Sequence, residues 1–162
     1  MKAYLDIETS FEGAITIVGL HVKDRGMIQL VGGQISDVAL WRALEGVLTI
    51  CTYNGSRFDL PVIRRRLGLD LSREFRSHDL MYDCWRNGLY GGLKRVEEQL
   101  GIDRGSKGID GLIAMRLWSR YEDWGDEEAL ETLLTYNQDD VLNLAILEAR
   151  LSGLEGTYAR RD

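Results

Sequence analysis

The sequence lacks two features that would each indicate a particular class of protein, an excess of basic residues and a long hydrophobic run, and we expect no secretory leader. Lysine and arginine number 20 against 26 acidic residues, and the net charge of −6 argues against binding nucleic acid through a broadly basic surface. The longest apolar stretch, residues 14–20, is too short to span a membrane. Because no charged segment followed by an apolar one opens the chain, we expect a cytoplasmic protein with no membrane partner.

Cysteine is also scarce, and internal repeats are missing. Cys51 and Cys84 are too few for a disulfide framework, so we expect two reduced thiols, with Cys51 buried in a strand. A chain of 162 residues that is 44% hydrophobic has the composition of one globular domain. We predict a single domain over residues 1–151 and a C-terminal tail at 152–162.

Hydrophobic patterning predicts strands in the first fifty residues and mostly helices afterwards. The predicted strands are 2–6, 14–20, 27–31 and 47–52. A short helix is expected to begin at Ser36 or Asp37, between the last two strands. The later predicted helices are 57–67, 93–100, 109–121 and 126–151. This order of elements indicates a layered α/β or α+β domain.

Asp6 and Glu8 form the first unusual group of carboxylates. They lie two residues apart at the end of the first predicted strand, so both point to one face while Ile7 points to the other. Two adjacent negative charges repel each other, and a hard divalent cation such as Mg²⁺ or Mn²⁺ would relieve that repulsion. A strand end that is simply solvated is the alternative interpretation.

Two further motifs place carboxylates beside predicted helices. Asp59 ends the segment that begins at Asn54, where a buried strand gives way to a helix and ligands often bind. Taken alone, this segment is better explained by a turn at its start and by Asp59 as a carboxylate in the first turn of the helix. Tyr136 and Asp140 are four residues apart on the last helix and emerge from one face. Asp140 borders the apolar stripe of that helix, so it needs a partner.

Together these motifs resemble the DEDD superfamily of 3′–5′ exonucleases, which are DnaQ-like with a ribonuclease H-like fold. The matching residues, in the order of the family, are Asp6, Glu8, Asp59 and Asp140. Tyr136 matches the tyrosine subtype (DEDDy) found in proofreading domains of family B DNA polymerases, whereas the histidine subtype has histidine where Thr135 stands. The C-terminal half is also similar to the YprB group. The resemblance implies an α/β three-layer fold with a mixed central sheet flanked by helices.

The resemblance further implies a metal-dependent 3′–5′ exonuclease that hydrolyses single-stranded DNA or RNA at 3′ ends. The four carboxylates would hold two divalent ions, Mg²⁺ or Mn²⁺, and Tyr136 would orient the attacking water. Thr9 and Asn54 are expected to hold the terminal nucleotide, and Phe58 either stacks on a base or lies in the core. Two bound divalent ions would place positive charge at the cleft of an acidic protein.

Several alternatives stay open at this point. The domain is either catalytic or a non-catalytic, partner-dependent nucleic-acid-binding domain, and an endonuclease of the ribonuclease H type would use the same metal chemistry. An aspartyl-phosphate phosphatase would require Asp where Glu8 stands, and it leaves Tyr136 and Asp140 unexplained. Because the chain is short, affinity beyond the last few nucleotides would come from a homo-oligomer or an accessory protein.

Other charged and polar groups also have two interpretations. The arginine run 64–66 either contacts phosphates or forms a solvated helix face. Arg104 and Lys107, in a glycine-rich segment, either form a mobile lip over the substrate or are solvated. His78 and Asp79 are typical of a strand end followed by a helix cap.

Overall fold

A five-stranded mixed sheet forms the centre of the molecule. The computed structural model describes residues 1–158, with side chains as far as residue 154. The strands in this range are β1 (Lys2–Thr9), β2 (Ile15–Val22), β3 (Gly26–Val31), β4 (Thr49–Thr52) and β5 (Arg76–Asp79). Their order is β3-β2-β1-β4-β5, antiparallel from β3 to β1 and parallel from β1 to β5. The central strand is therefore β1, which carries the first predicted carboxylates.

Helices cover both faces of this sheet. Those in the described range are α1 (Asp37–Ala43), α2 (Asp59–Leu67), α3 (Leu71–Glu74), α4 (Leu80–Arg86), α5 (Leu93–Leu100), α6 (Gly111–Trp124) and α7 (Glu127–Tyr158). Apolar side chains of α1 to α3 pack on one face, and those of α4 to α7 pack on the other. The predicted α/β three-layer fold with a mixed central sheet is confirmed.

Alternation along β1 divides its side chains between the two layers. Ala3, Leu5 and Ile7 are buried in the core under α1 and α2. Tyr4 packs instead into the core cluster that α4, α5 and α7 supply. Asp6 shares that second face, so the strand directs its carboxylate towards α7. The expectation that Asp6 and Ile7 point to opposite faces is confirmed.

The structure differs from the sequence-based elements in several places. Patterning did not predict α3 or α4. It identified only the end of β5, at His78 and Asp79, because the strand's four residues are polar and have no hydrophobic alternation. Helix α2 begins at Asp59 rather than at residue 57. Helix α7 continues through 152–158, where a tail was predicted, and the rest of that tail lies outside the described residues. No described helix is both long and apolar enough to cross a membrane.

Candidate metal centre

Three carboxylates converge between the central strand and the longest helix. Oxygens of Asp6 and Glu8 on β1 and of Asp140 on α7 all lie within 4.8 Å of one another. Glu8 and Asp140 are buried. The Asn137 amide on α7 donates to Asp6 Oδ2 at 3.1 Å, and Gln29 on β3 donates to Asn137 Oδ1 at 3.0 Å. Asn137 therefore holds the Asp6 carboxylate, and Gln29 in turn holds Asn137.

The close approach of α7 to the sheet depends on Gly19. This residue lies opposite Asp6 in the antiparallel pair of β1 and β2. A Cβ atom at position 19 would lie 2.2 Å from Asn137 Oδ1 and 2.9 Å from Val141 Cγ2. Any larger residue would push the helix outwards, so the glycine permits the contact between Asn137 and Asp6.

Asp59 is the fourth acidic residue, and it approaches from the other side of β1. It is the first residue of α2, it is buried, and its Oδ2 accepts a hydrogen bond from the backbone N–H of Ile7 at 2.9 Å. It does not belong to the group of three whose oxygens lie within 4.8 Å. Its negative charge still acts on both Asp6 and Glu8.

The centre carries more negative charge than its described surroundings compensate. Burial, followed by the charges of Asp140 and Glu8, raises the pKa of Asp6 well above its ordinary value. Burial and Asp140 raise the pKa of Glu8 to about 8, and burial raises the pKa of Asp59 to about 7. Glu8 Oε1 is buried without a hydrogen-bond partner. A set of donors made only of carboxylate oxygens, one of them unpartnered, fits hard divalent cations such as Mg²⁺ and Mn²⁺.

Arg104 is a cation that forms a hydrogen bond directly with this acidic group. It lies in the loop between α5 and α6, it is 7% exposed, and its guanidinium pairs with both oxygens of Glu97 at 2.9 Å. The same guanidinium donates to Asp140 Oδ1. Ser106 in the same loop donates to Asp139 through its backbone N–H and its hydroxyl. Neither interpretation of Arg104, a mobile lip or a solvated side chain, is correct, because this side chain is buried against α5 and α7.

Tyr136 lies beside the carboxylates with its hydroxyl already engaged. Lys94 Nζ on α5 donates to Tyr136 Oη at 2.6 Å, and it lies 4.5 Å from the centre of the ring. Burial and the neighbouring carboxylates raise the pKa of Tyr136 above its ordinary value. A small cleft of about 260 Å³ opens here, lined by Asp6, Tyr53, Gly92, Leu93, Lys94, Tyr136 and Asp140.

The three predicted nucleotide contacts lie around the ends of β1 and β4, outside the lining of this cleft. Thr9 is half-buried at a register shift that follows Glu8. Asn54 has a φ of 59°, and its backbone N–H donates to Asp79 Oδ1 at 2.8 Å while its own Oδ1 is buried without a partner. Phe58 is 43% exposed, so the alternative that it lies in the core is wrong.

Asp79 has the capping role that the sequence predicted. Its carboxylate accepts from Met81 N at 3.1 Å at the start of α4, and from the backbone N–H and hydroxyl of Ser56.

In the arginine run, Arg64 is exposed and 3.5 Å from Asp70. This arrangement agrees with a solvated helix face.

Several residues of the site had no role in the sequence-based prediction. Asn137 precedes Asp140 by three residues, so helical spacing alone places both on one face and was a usable signal. Gly19, Lys94 and Glu97 reach the site only through packing between elements that are distant in the sequence. Their positions have no local sequence signal.

The central acidic strand, the mixed sheet and the helix that supplies a further carboxylate define a nuclease-like fold of the ribonuclease H type. The model of the RNase_H_2 family, described as RNase_H superfamily, matches residues 3–152, and the chain belongs to this family. The comparison with curated proteins gave no match.

Proposed function

We propose that this chain is a metal-dependent 3′–5′ exonuclease of the DEDDy type that hydrolyses phosphodiester bonds at single-stranded DNA or RNA ends. The observation that carries the proposal is the convergence of Asp6, Glu8 and Asp140 within 4.8 Å, with the buried Asp59 beside them. Buried carboxylates repel one another and are costly unless a cation joins them. Metal binding explains this arrangement better than a contribution to the stability of the fold does.

Asp6, Glu8, Asp59 and Asp140 would hold two Mg²⁺ or Mn²⁺ ions, which would activate a water and stabilise the departing 3′ oxygen. Asn137 keeps the Asp6 carboxylate oriented towards this group. Glu8 contributes an oxygen that has no competing hydrogen bond within the protein. Arg104 offsets part of the charge of Asp140.

Tyr136 has a positioning role in this proposal. Its raised pKa makes it a poor general base at neutral pH. Lys94 donates to the hydroxyl oxygen, so the hydroxyl proton is free to point towards a water or a phosphate oxygen in the cleft. Together, Tyr136 and Lys94 therefore orient the attacking water without accepting its proton.

The small size of the cleft supports a single-stranded end as the substrate. The cleft of about 260 Å³ accommodates one terminal group rather than a duplex. The exposed Phe58 ring is available to stack on a base, and Asn54 is proposed to contact the terminal nucleotide. Thr9, next to Glu8, is the third proposed contact.

A ladder assay tests the proposal. The purified chain is incubated with 5′-labelled DNA or RNA strands and Mg²⁺ or Mn²⁺, and the same strands with a blocked 3′ end serve as substrate control. We expect stepwise shortening from the 3′ end that requires metal, stops at the block and is lost in Asp6→Asn and Asp140→Asn. Asp139→Asn, one residue away but bound to Ser106, is the matched variant and should keep the activity.

Two other outcomes would overturn the exonuclease proposal. Internal cleavage of blocked strands would indicate an endonuclease of the ribonuclease H type. Tight binding of strands with no cleavage in either metal would indicate a non-catalytic binding domain.

A further inference from the structure

A second group of metal-ligating side chains lies on the same face of the sheet, apart from the carboxylates. Cys51 on β4 and His78 on β5 are direct partners in the parallel ladder, so their side chains share one face. Glu148 on α7 covers them. Cys51 Sγ lies 3.6 Å from His78 Nδ1 and 3.2 Å from Glu148 Oε2, and those last two atoms are 3.8 Å apart.

We propose that Cys51, His78 and Glu148 bind a zinc ion that joins β4, β5 and α7. Zinc–ligand bonds of about 2.0–2.1 Å to nitrogen or oxygen and about 2.3 Å to sulfur, at tetrahedral angles, place neighbouring ligand atoms about 3.3–3.6 Å apart. The three separations in the structure bracket those values. Three protein ligands leave a fourth position for water.

The donor atoms select zinc rather than the ions suited to the carboxylate centre. A thiolate and an imidazole are softer ligands than carboxylates and favour Zn²⁺ over Mg²⁺ or Mn²⁺. Glu148 follows Asp140 by eight residues, which is about 12 Å along a helix. The two centres therefore differ in chemistry and in position.

Neighbouring groups already orient the ligands as a zinc site requires. His78 Nε2 lies 2.5 Å from Asp83 Oδ2, which favours the proton on Nε2 and leaves the Nδ1 lone pair facing Cys51 and Glu148. Lys2 Nζ binds Glu148 Oε1 at 2.5 Å and leaves Oε2 for the metal. A carboxylate behind a ligating histidine is a recurrent feature of zinc sites.

Binding is expected to release one proton. In the metal-free chain the Cys51 thiol donates to Glu148 Oε2 at 3.2 Å. When the sulfur–zinc bond forms, the S–H bond breaks and its proton leaves to solvent, with no change of oxidation state. His78 is partly exposed and gives the ion a route in.

Cobalt titration of the whole chain tests the proposal, because a cobalt–thiolate bond gives a charge-transfer absorption band that oxygen ligands do not. The chain is stripped with chelator and titrated with Co²⁺ in excess Mg²⁺, and Zn²⁺ is then added. We expect a thiolate band that saturates at one equivalent and disappears as zinc displaces cobalt. Absence of the band in the unmodified chain would overturn the proposal.

Variants identify the ligands. Cys51→Ser should abolish the band, whereas Cys84→Ser, the other buried cysteine, should retain it. Asp83→Asn should weaken zinc binding by about 10–100-fold while circular dichroism stays unchanged, which keeps the test valid if Cys51→Ser misfolds. Asp6→Asn should leave the band intact and so separates this site from the proposed nuclease centre. A band that survives Cys51→Ser in folded protein, or that vanishes in Cys84→Ser, would contradict the assignment.

Discussion

Glu8 and Asp59 are carboxylates in positions where water cannot stabilise their charge. Each is buried, and each has a pKa above its ordinary value for that reason. Proton uptake and metal binding both reduce the free-energy cost of keeping these ionised carboxylates in the protein interior. The acidic centre therefore links the stability of the chain both to pH and to divalent ions.

The stability of the metal-free chain should fall as pH rises. The pKa of Glu8 moves from 4.5 to about 8 and that of Asp59 from 3.8 to about 7 on folding, so the folded state holds more protons than the unfolded state between those values. The stabilisation is complete below the unfolded pKa and is lost as pH rises through the folded pKa. We therefore expect the unfolding midpoint to drop across this window.

Calorimetry in chelator measures this effect, and saturating Mn²⁺ should remove most of it. Glu8→Gln should flatten the pH profile, whereas Glu12→Gln, an exposed residue, should not. A midpoint that rises steadily over the same pH range would contradict the electrostatic account.

Removal of the Tyr136 hydroxyl should slow the reaction without unfolding the protein. Tyr136→Phe keeps the ring that packs against α6 and α7 but loses the group that Lys94 holds. We expect kcat to fall about 10²-fold, since misplacing a reactant by about 1 Å has an effect of that size, while KM changes little. Single-turnover kinetics measure it.

Tyr121→Phe is the matched variant for this experiment, because Tyr121 packs in the same hydrophobic cluster but is not in the cleft. It should leave kcat unchanged. Equal rates for Tyr136→Phe and the unmodified chain would show that the Tyr136 hydroxyl has no role in the reaction.

At the scale of elements, the distance between α7 and the sheet controls the site. Gly19→Ala would place a Cβ atom 2.2 Å from Asn137 Oδ1 and force the helix away. We expect a loss of about 1–3 kcal/mol in the free energy of unfolding and a loss of activity beyond what that destabilisation explains. Gly33→Ala is the control, because no atom lies within 4 Å of its added Cβ.

Denaturant titration and the ladder assay together measure the effect of Gly19→Ala. Unchanged stability in this variant would show that the helix is not seated on the sheet at this point.

Whether the sequence predicts a contact depends on how close together in the sequence the contacting residues lie. Strand alternation and helical spacing are local rules, so the faces of Asp6 and Asp140 could be predicted. Lys94 meets Tyr136 only because α5 packs on α7, and no spacing within α5 indicates that contact. Strand β5 is polar throughout and becomes a strand by pairing with β4, so its sequence alone was not sufficient.

At the scale of the whole molecule, the net charge of −6 limits how the chain can hold a polyanion. Binding should depend on the metal centre and a few neighbouring groups rather than on a long basic surface. With about two phosphate contacts, a fourfold increase in monovalent salt should lower the affinity for a single strand less than about tenfold.

Fluorescence anisotropy with 3′-blocked strands at constant Mg²⁺ measures this salt dependence. Strands longer than a few nucleotides should bind no more tightly than short ones. A steep salt dependence that grows with strand length would instead indicate an extended binding surface or a second copy of the chain.

Helix α7 fixes the spacing between two groups of side chains that lie against the sheet. It carries Tyr136, Asn137 and Asp140 at one point and Glu148 at another, with an unbroken helix between them. Inserting a single residue between positions 140 and 148 would rotate one group by about 100° relative to the other and shift it by about 1.5 Å. Point substitutions on the outer surface of this segment are tolerable, but a change in its length is not.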